Sequence, residues 1–199
     1  MALRERHFKR RLAFSTMSNL SYMLLGIMLM TTEGYTGGLS HMLFHGIIKM
    51  SLFLCAGAFM HKTGKNYIYE INGVGRKMPV TFICYTLGAL SLTGIPLFCG
   101  FVSKWQLLMA GVHEGSIWGT VGTASLVVSA FLCAMYTLTV SVRAFFTAPV
   151  KDGFAGEGVD EADLLMLIPI VLFTAVNVIF GIAPHGIMAL IGRITAGLF

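Results

Sequence analysis

The stretch from Gly38 to Met60 is apolar almost throughout, yet it carries His41, His45 and Lys49 at successive steps of four residues. A run of that length matches the roughly 20 helical residues that cross a bilayer's hydrocarbon core. A charged side chain near the middle of such a span costs about 2.5 to 3.5 kcal/mol even on lenient insertion scales. A soluble domain does not relieve the conflict, because the chain is 56% hydrophobic and only 12% charged, with mean hydropathy +0.78, against roughly 25% charged residues in soluble proteins. The composition therefore specifies a membrane protein that keeps a lysine inside the membrane for a reason.

Five stretches are long enough to cross: Leu12–Thr32, Gly38–Met60, Met78–Val112, Ile117–Thr147 and Leu164–Pro184. None alternates apolar and polar residues as a barrel strand does, so the expected fold is an all-α polytopic bundle of about five transmembrane helices. The net charge of +5 does not indicate a nucleic-acid partner, because the basic residues sort by loop. Arg4, Arg6, Lys9, Arg10 and Arg11 precede the first stretch; Lys62, Lys65, Arg76 and Lys77 lie between the second and third; Arg143 and Lys151 flank the end of the fourth. The alternate loops, read as Thr31–Gly37 and His113–Ser116, carry Glu33 and Glu114 and no lysine or arginine. The positive-inside rule then places the N-terminus in the cytoplasm and the C-terminus outside.

Several other functions lack a sequence basis. Cys55, Cys84, Cys99 and Cys133 all fall inside the apolar stretches without CxxC spacing and read as packing residues. The i, i+4 histidine pair has no glutamate in the HExxH position and no third ligand, so no metal site is expected. No dinucleotide, phosphate-binding or acyl-transfer motif occurs; no catalytic residue and no cofactor are assigned to the chain. The basic N-terminus followed by a long apolar run reads as a membrane anchor, not a cleaved signal. The glycine-punctuated, acidic stretch Thr147–Asp163 reads as a solvated cytoplasmic loop, with Asp160–Asp163 favouring the N-terminus of the last helix.

The third stretch is too long for one straight crossing, and Gly94, Pro96 and Gly100 interrupt it. Proline cannot donate to the helix ladder and clashes with the preceding turn, so the helix should break near Pro96. Within a bilayer, such breaks survive where protein or water satisfies the freed backbone groups. Ion-coupled transporters place their sites at such breaks. Immediately beyond lies Gly100-Phe101-Val102-Ser103-Lys104-Trp105, with a second lysine expected in a hydrated cavity.

On a helix, His41, His45 and Lys49 drift only about 80° in total and climb about 6 Å per step, forming one polar stripe. Imidazole, with an ordinary pKa of about 6.5, both takes and gives protons at cellular pH. The stripe is thus a candidate proton relay, although either histidine alone would read as a helix-packing hydrogen bonder. Ser15, Thr16, Ser18, Asn19, Ser21 and Tyr22 cluster in the cytoplasmic half of the first stretch. They, with Ser103, either wet a half-channel or bond neighbouring helices.

Four segments now form a family resemblance: Lys9–Ser18; the stripe continuing through Ser51–Ala58; Gly88–Pro96; and Gly100–Lys104. In this order they resemble the antiporter-like subunits of respiratory complex I, a fold shared with Mrp-type Na⁺/H⁺ antiporters and the membrane arms of energy-converting hydrogenases. The resemblance runs from about Lys9 to Phe146. It implies that Lys49 is the central-axis lysine, Lys104 the exit-side charge, and His41 and His45 the bridge between half-channels. It also implies protons, or sodium with protons, moved in response to redox chemistry in other subunits. Such subunits contain two inverted repeats, and this chain matches only the last, so either the subunit is split, with another membrane subunit supplying the N-terminal repeat, or the chain is a truncated product.

The sequence thus divides into 1–11, a basic cytoplasmic N-terminus; 12–147, a four-span core with a broken third helix; 148–163, a cytoplasmic loop; and 164–199, a last transmembrane helix and C-terminal tail. The expected function is a proton- or Na⁺/H⁺-translocating subunit or half-subunit of a redox-driven complex such as NADH-quinone oxidoreductase or an energy-converting hydrogenase, in a bacterial or archaeal cytoplasmic membrane. A stand-alone Mrp-type antiporter subunit and a non-conducting structural fragment are the alternatives.

Overall fold

The structure is a computed structural model and describes residues 1–148 and 160–198. The elements run α1 (Phe8–Met28), α2 (Thr32–Thr63), two 3₁₀ turns (Ile68–Ile71 and Val74–Arg76), α3 (Pro79–Thr93), α4 (Cys99–His113), α5 (Ile117–Phe146), α6 (Leu164–Ile182) and α7 (His185–Ala196). The described residues form no strand, and an isolated bridge joins His7 to Tyr67. The fold is all-α. Three helices, α2, α5 and α6, are long and apolar enough to cross a membrane; α1 is 21 residues long, and α3 and α4 are 15 each.

Helix α2 is the axis of the bundle and touches α1, α3, α4, α6 and α7. It begins earlier than the sequence reading placed it. Thr31 is extended and its hydroxyl accepts the Gly34 amide at 3.1 Å, capping the helix and leaving only a short connection after α1. The expected loop Thr31–Gly37 is therefore mostly helix. Its glycines do not break it, because they serve close packing: a Cβ on Gly34 would lie 2.5 Å from the Gly26 carbonyl of α1.

Aromatic side chains of α1, α2 and α3 fill the end of the bundle nearer the N-terminus. Phe8 meets Tyr85 at 5.4 Å and Phe59 at 6.1 Å between ring centroids, both edge-on. Offset and edge-on pairs add about 0.5 to 1.5 kcal/mol beyond their area. Helix α6 is the opposite case: only Ile170, Thr174 and Asn177 are buried, and leucines, isoleucines and valines cover its outer face. An unpartnered apolar face of that length suits lipid.

The acidic loop behaves differently from expectation where it is described. Asp163 precedes α6 without a side-chain capping bond and instead meets Lys62 Nζ at 2.6 Å. Glu161 reaches across to α3, accepting from the Val80 amide at 2.7 Å and the Thr81 hydroxyl at 2.6 Å. Helix α3 starts with Pro79 and has no side-chain cap of its own, so Glu161 satisfies donors that α3 would leave bare. Asp152 and Glu157 of the same loop lie outside the described residues, as does Lys151. Beyond α6, the stretch read as a tail contains helix α7, tied to α2 by a 2.7 Å contact between Thr195 and Thr36 hydroxyls.

Candidate functional site

Helix α3 ends at Thr93 and α4 begins at Cys99. Gly94 closes α3 in the left-handed region at φ 95°, where a β-carbon would be strained. In an uninterrupted helix the amide at position 96 would donate to the Leu92 carbonyl, but proline has none. Lys104 supplies the donor: its Nζ lies 2.6 Å from Leu92 O and 3.3 Å from Thr93 O. The α4 start closes tightly on the α3 end, since a Cβ on Gly100 would fall 2.0 Å from Ser91 O. Gly94, Pro96 and Gly100 thus bring Lys104 onto the carbonyl end of α3. That end carries partial negative charge, and an ammonium is favourable there. Lys104 is 6% exposed, and its Nζ stands 5.6 Å from the Tyr22 ring centroid.

Lys49, also 6% exposed, uses another element. Its Nζ donates to the Leu12 carbonyl of α1 at 2.7 Å and to the Ser15 hydroxyl. The phenyl ring of Phe53 lies 5.9 Å away. Lys49 therefore sits among neutral acceptors.

His41 connects the two neighbourhoods. Its Nε2 faces Asn19 Oδ1 at 3.3 Å and its Nδ1 faces the Ser103 hydroxyl at 2.9 Å. Asn19 donates its Nδ2 to the Ser15 carbonyl at 2.8 Å, which fixes the amide so that Oδ1 accepts from His41. In its neutral form the ring would carry its proton on Nε2, and Nδ1 would accept from Ser103, whose hydroxyl otherwise donates to the Gly100 carbonyl at 3.4 Å. His45 stacks on His41, with centroids 5.8 Å apart and planes at 27°. Neither His45 nitrogen has a protein partner. Two buried polar atoms in that state call for water.

The sequence-derived residues separate accordingly. His41, His45, Lys49, Ser15 and Ser103 meet in one buried polar seam, with Lys104 beside Ser103 on α4. Thr16 bonds the Leu12 carbonyl of its own helix, and Ser18 shares a 3.0 Å bond with Ser129 of α5; these two stand outside the seam. Sequence reasoning grouped Asn19 and Tyr22 with the polar residues of the first stretch but missed their contacts: Asn19 is the link to His41, and the Tyr22 ring edges His41 at 5.6 Å while its hydroxyl donates to Ser129 at 2.5 Å. Asn19 lies one helical turn after Ser15, a spacing that offered a signal. It also missed Asn177 of α6, whose Oδ1 accepts from Ser91 at 2.6 Å and Cys99 at 3.0 Å. Asn177 pins the α3 end to the α4 start. Among the described residues no group of three or more histidine, cysteine or carboxylate side chains has metal-binding geometry.

The profile of the NADH:quinone oxidoreductase/Mrp antiporter transmembrane family matches residues 1–132. The chain belongs to this family. Within the NADH:quinone oxidoreductase/Mrp antiporter family, it is 34% identical over 157 residues to NADH-quinone oxidoreductase subunit N of Desulforudis audaxviator, covering 79% of this chain and 31% of that one. It superposes with a TM-score of 0.80 and 28% identity on a chain of the membrane-bound sulfane sulfur reductase, an archaeal respiratory membrane complex, covering 92% of this chain and 29% of the other. A chain of the Mrp complex from Dietzia sp. DQ12-45-1b shares the fold, with a TM-score of 0.89 at 24% identity over 99% of this chain and 44% of that chain. The chain spans about three-tenths of the length of the curated relatives it matches. Family membership and the apolar helices identify an antiporter-like, membrane-spanning chain.

Proposed function

We propose that this chain is the proton-translocating half of a membrane subunit in a redox-driven complex, with His41, His45, Lys49 and Lys104 as its path. The observation that carries the reading is the buried seam from Lys49 through Ser15 and Asn19 to His41 and Ser103. Every member of it exchanges protons or reorients a hydrogen bond, and none is held by a carboxylate among the described residues. A proton arriving at Lys49 passes to His45 through water, and the stacked His41 hands it toward Ser103 and Lys104. Ser15 and Ser103 act as hydroxyl contacts at the two ends of this path, while Thr16 and Ser18 line the approach along α1.

On this reading the chain crosses the membrane five times. Helices α1, α2, α5 and α6 each make one crossing, and α3 with α4 makes the other, broken at Pro96. The basic N-terminal segment lies in the cytoplasm of a bacterium or archaeon. Protons are the favoured cargo over sodium, because the seam offers imidazoles and ammoniums and, among the described residues, no cluster of carboxylates. A complete cycle also uses the first inverted repeat of the translocating unit, supplied by a longer polypeptide or by a partner subunit. Relatives named as NADH-quinone oxidoreductase subunits support a redox partner.

The test is donor-driven proton uptake by inverted vesicles containing the assembled complex. Lys49→Ala should abolish uptake while electron transfer and assembly persist; undiminished pumping sinks the proposal. Purification with identification of partner chains separates the two settings. Redox subunits support the driven complex, and a set of small membrane proteins alone assigns the chain to a stand-alone antiporter.

A further inference from the structure

At the basic end of the bundle, away from the seam, a cavity of about 390 Å³ is lined by Arg6, Arg11, Ile68, Tyr69, Thr139 and Arg143. Three of the lining residues are arginines, and among the described residues none of their guanidiniums lies within ion-pair distance of a carboxylate. Arg143 adds like-charge repulsion to Arg11. The nearest acid in sequence, Glu5, attracts Arg11 without pairing with it, and its Oε1 accepts the Arg6 and His7 amides at 3.0 and 2.9 Å. Arg11 is fixed in advance: Nε and Nη2 donate to the Glu5 carbonyl at 3.0 and 2.8 Å, and Nη1 donates to the Tyr136 carbonyl of α5 at 3.2 Å. A guanidinium already ordered by backbone carbonyls loses little freedom on meeting a ligand.

The surroundings specify the depth at which that ligand arrives. Tyr67 and Tyr69 stack at 5.4 Å beside the cavity, and both are exposed. Exposed tyrosines at the ends of apolar helices mark the membrane–water boundary. Lys9 and Arg10, also exposed, extend the same basic rim. Guanidinium forks match the oxygens of phosphate in pairs.

We infer that this three-arginine cavity binds the phosphate of an anionic phospholipid headgroup at the bilayer surface, holding the α1 start against the α5 end. The ligand chemistry is a phosphate oxyanion. The lipid is favoured over free phosphate because the cavity lies beside the interfacial tyrosines and between helices whose outer faces are apolar.

Native mass spectrometry of the purified full chain provides the test, with dioleoylphosphatidylglycerol, dioleoylglycerol and inorganic phosphate as separate probes. Phosphatidylglycerol should be retained in preference to the phosphate-free lipid, and Arg6→Gln with Arg143→Gln should weaken retention roughly tenfold or more. Lys9→Gln with Arg10→Gln removes the same charge outside the cavity and should leave retention within about twofold. Equal losses in the two double variants would reduce the effect to bulk charge and overturn the site. Equal binding of inorganic phosphate would overturn the lipid, as would an acidic side chain of another subunit filling the cavity in the assembled complex. None of these outcomes depends on proton transport, so the lipid site and the translocation path stand or fall separately.

Discussion

The two buried lysines occupy regions built on opposite plans. Around Lys49 the backbone is regular: α1 and α2 are unbroken helices, and the ammonium uses a carbonyl already in the α1 ladder plus the Ser15 hydroxyl. Around Lys104 the backbone is irregular, and the ammonium uses carbonyls that Pro96 and the end of α3 leave without amide donors. A serine hydroxyl both donates and accepts, so it tolerates either charge state of its partner. A carbonyl only accepts, and takes a hydrogen from an amine or an ammonium alike. On the proposed path the Ser15 hydroxyl therefore lets Lys49 pass a proton on while it keeps Leu12 O, and Lys104, where the path ends, meets two carbonyls and no hydroxyl.

The largest expected effect follows from removing the exchanger. Lys49→Ala should cut proton uptake by the assembled complex to background, whereas Lys49→Arg, which preserves charge but releases its proton poorly, should also fail. Recovery of pumping in the arginine variant would break the distinction between the two sites. Next in size, Pro96→Ala restores an amide that competes with Lys104 for Leu92 O. Proton uptake should fall about fivefold to tenfold, on the order of 1 kcal/mol for one displaced hydrogen bond. Unchanged uptake, measured in the same vesicles, would show that the proline–lysine substitution has no functional weight.

Ser15→Ala should act more mildly. Lys49 keeps Leu12 O, so the chain should lose about 1 kcal/mol of stability in a detergent unfolding titration and uptake should fall a few-fold. The smallest effect concerns Lys62, a lysine near the surface. Its hydrogen bond and charge hold the Asp163 carboxyl below its ordinary value of 3.8. A depressed acid contributes stability above its unfolded pKa and loses it as pH falls through the folded one. Amide exchange in the first turn of α6 should therefore quicken only below about pH 4, and Lys62→Gln should remove that step. A transition near neutrality would contradict the pairing.

The sequence made the stripe readable because a single helix fixes it: steps of four residues place His41, His45 and Lys49 on one face whatever surrounds them. The apolar lengths likewise made an all-helical membrane chain readable. What stayed hidden depends on contacts between helices. Nothing local to Asn19 states that its amide faces His41, and nothing local to Asn177 states that it bridges Ser91 and Cys99. The start of α2 lies earlier than the stretch 38–60 suggests, because Gly34 and Gly37 look like a loop, whereas close approach to α1 at Gly34 and to Leu107 of α4 at Gly37 requires small residues there. Glu161 was assigned to its own helix, although the unsatisfied donors it meets belong to α3. Pro96 and Lys104 lay in plain view, but their connection required combining the four-residue offset with the return of α4 onto α3.

Helix α2 runs 32 residues from Thr32 to Thr63, about 48 Å at 1.5 Å per residue, and is longer than the roughly 30 Å of hydrocarbon it would cross. Both ends therefore reach past the apolar layer. One helix backbone sets the mutual spacing of the two imidazoles and the ammonium, whereas the groups they meet belong to α1 and α4. A change at either end of α2 therefore leaves the order of the stripe intact and acts on which hydroxyl or carbonyl each side chain meets.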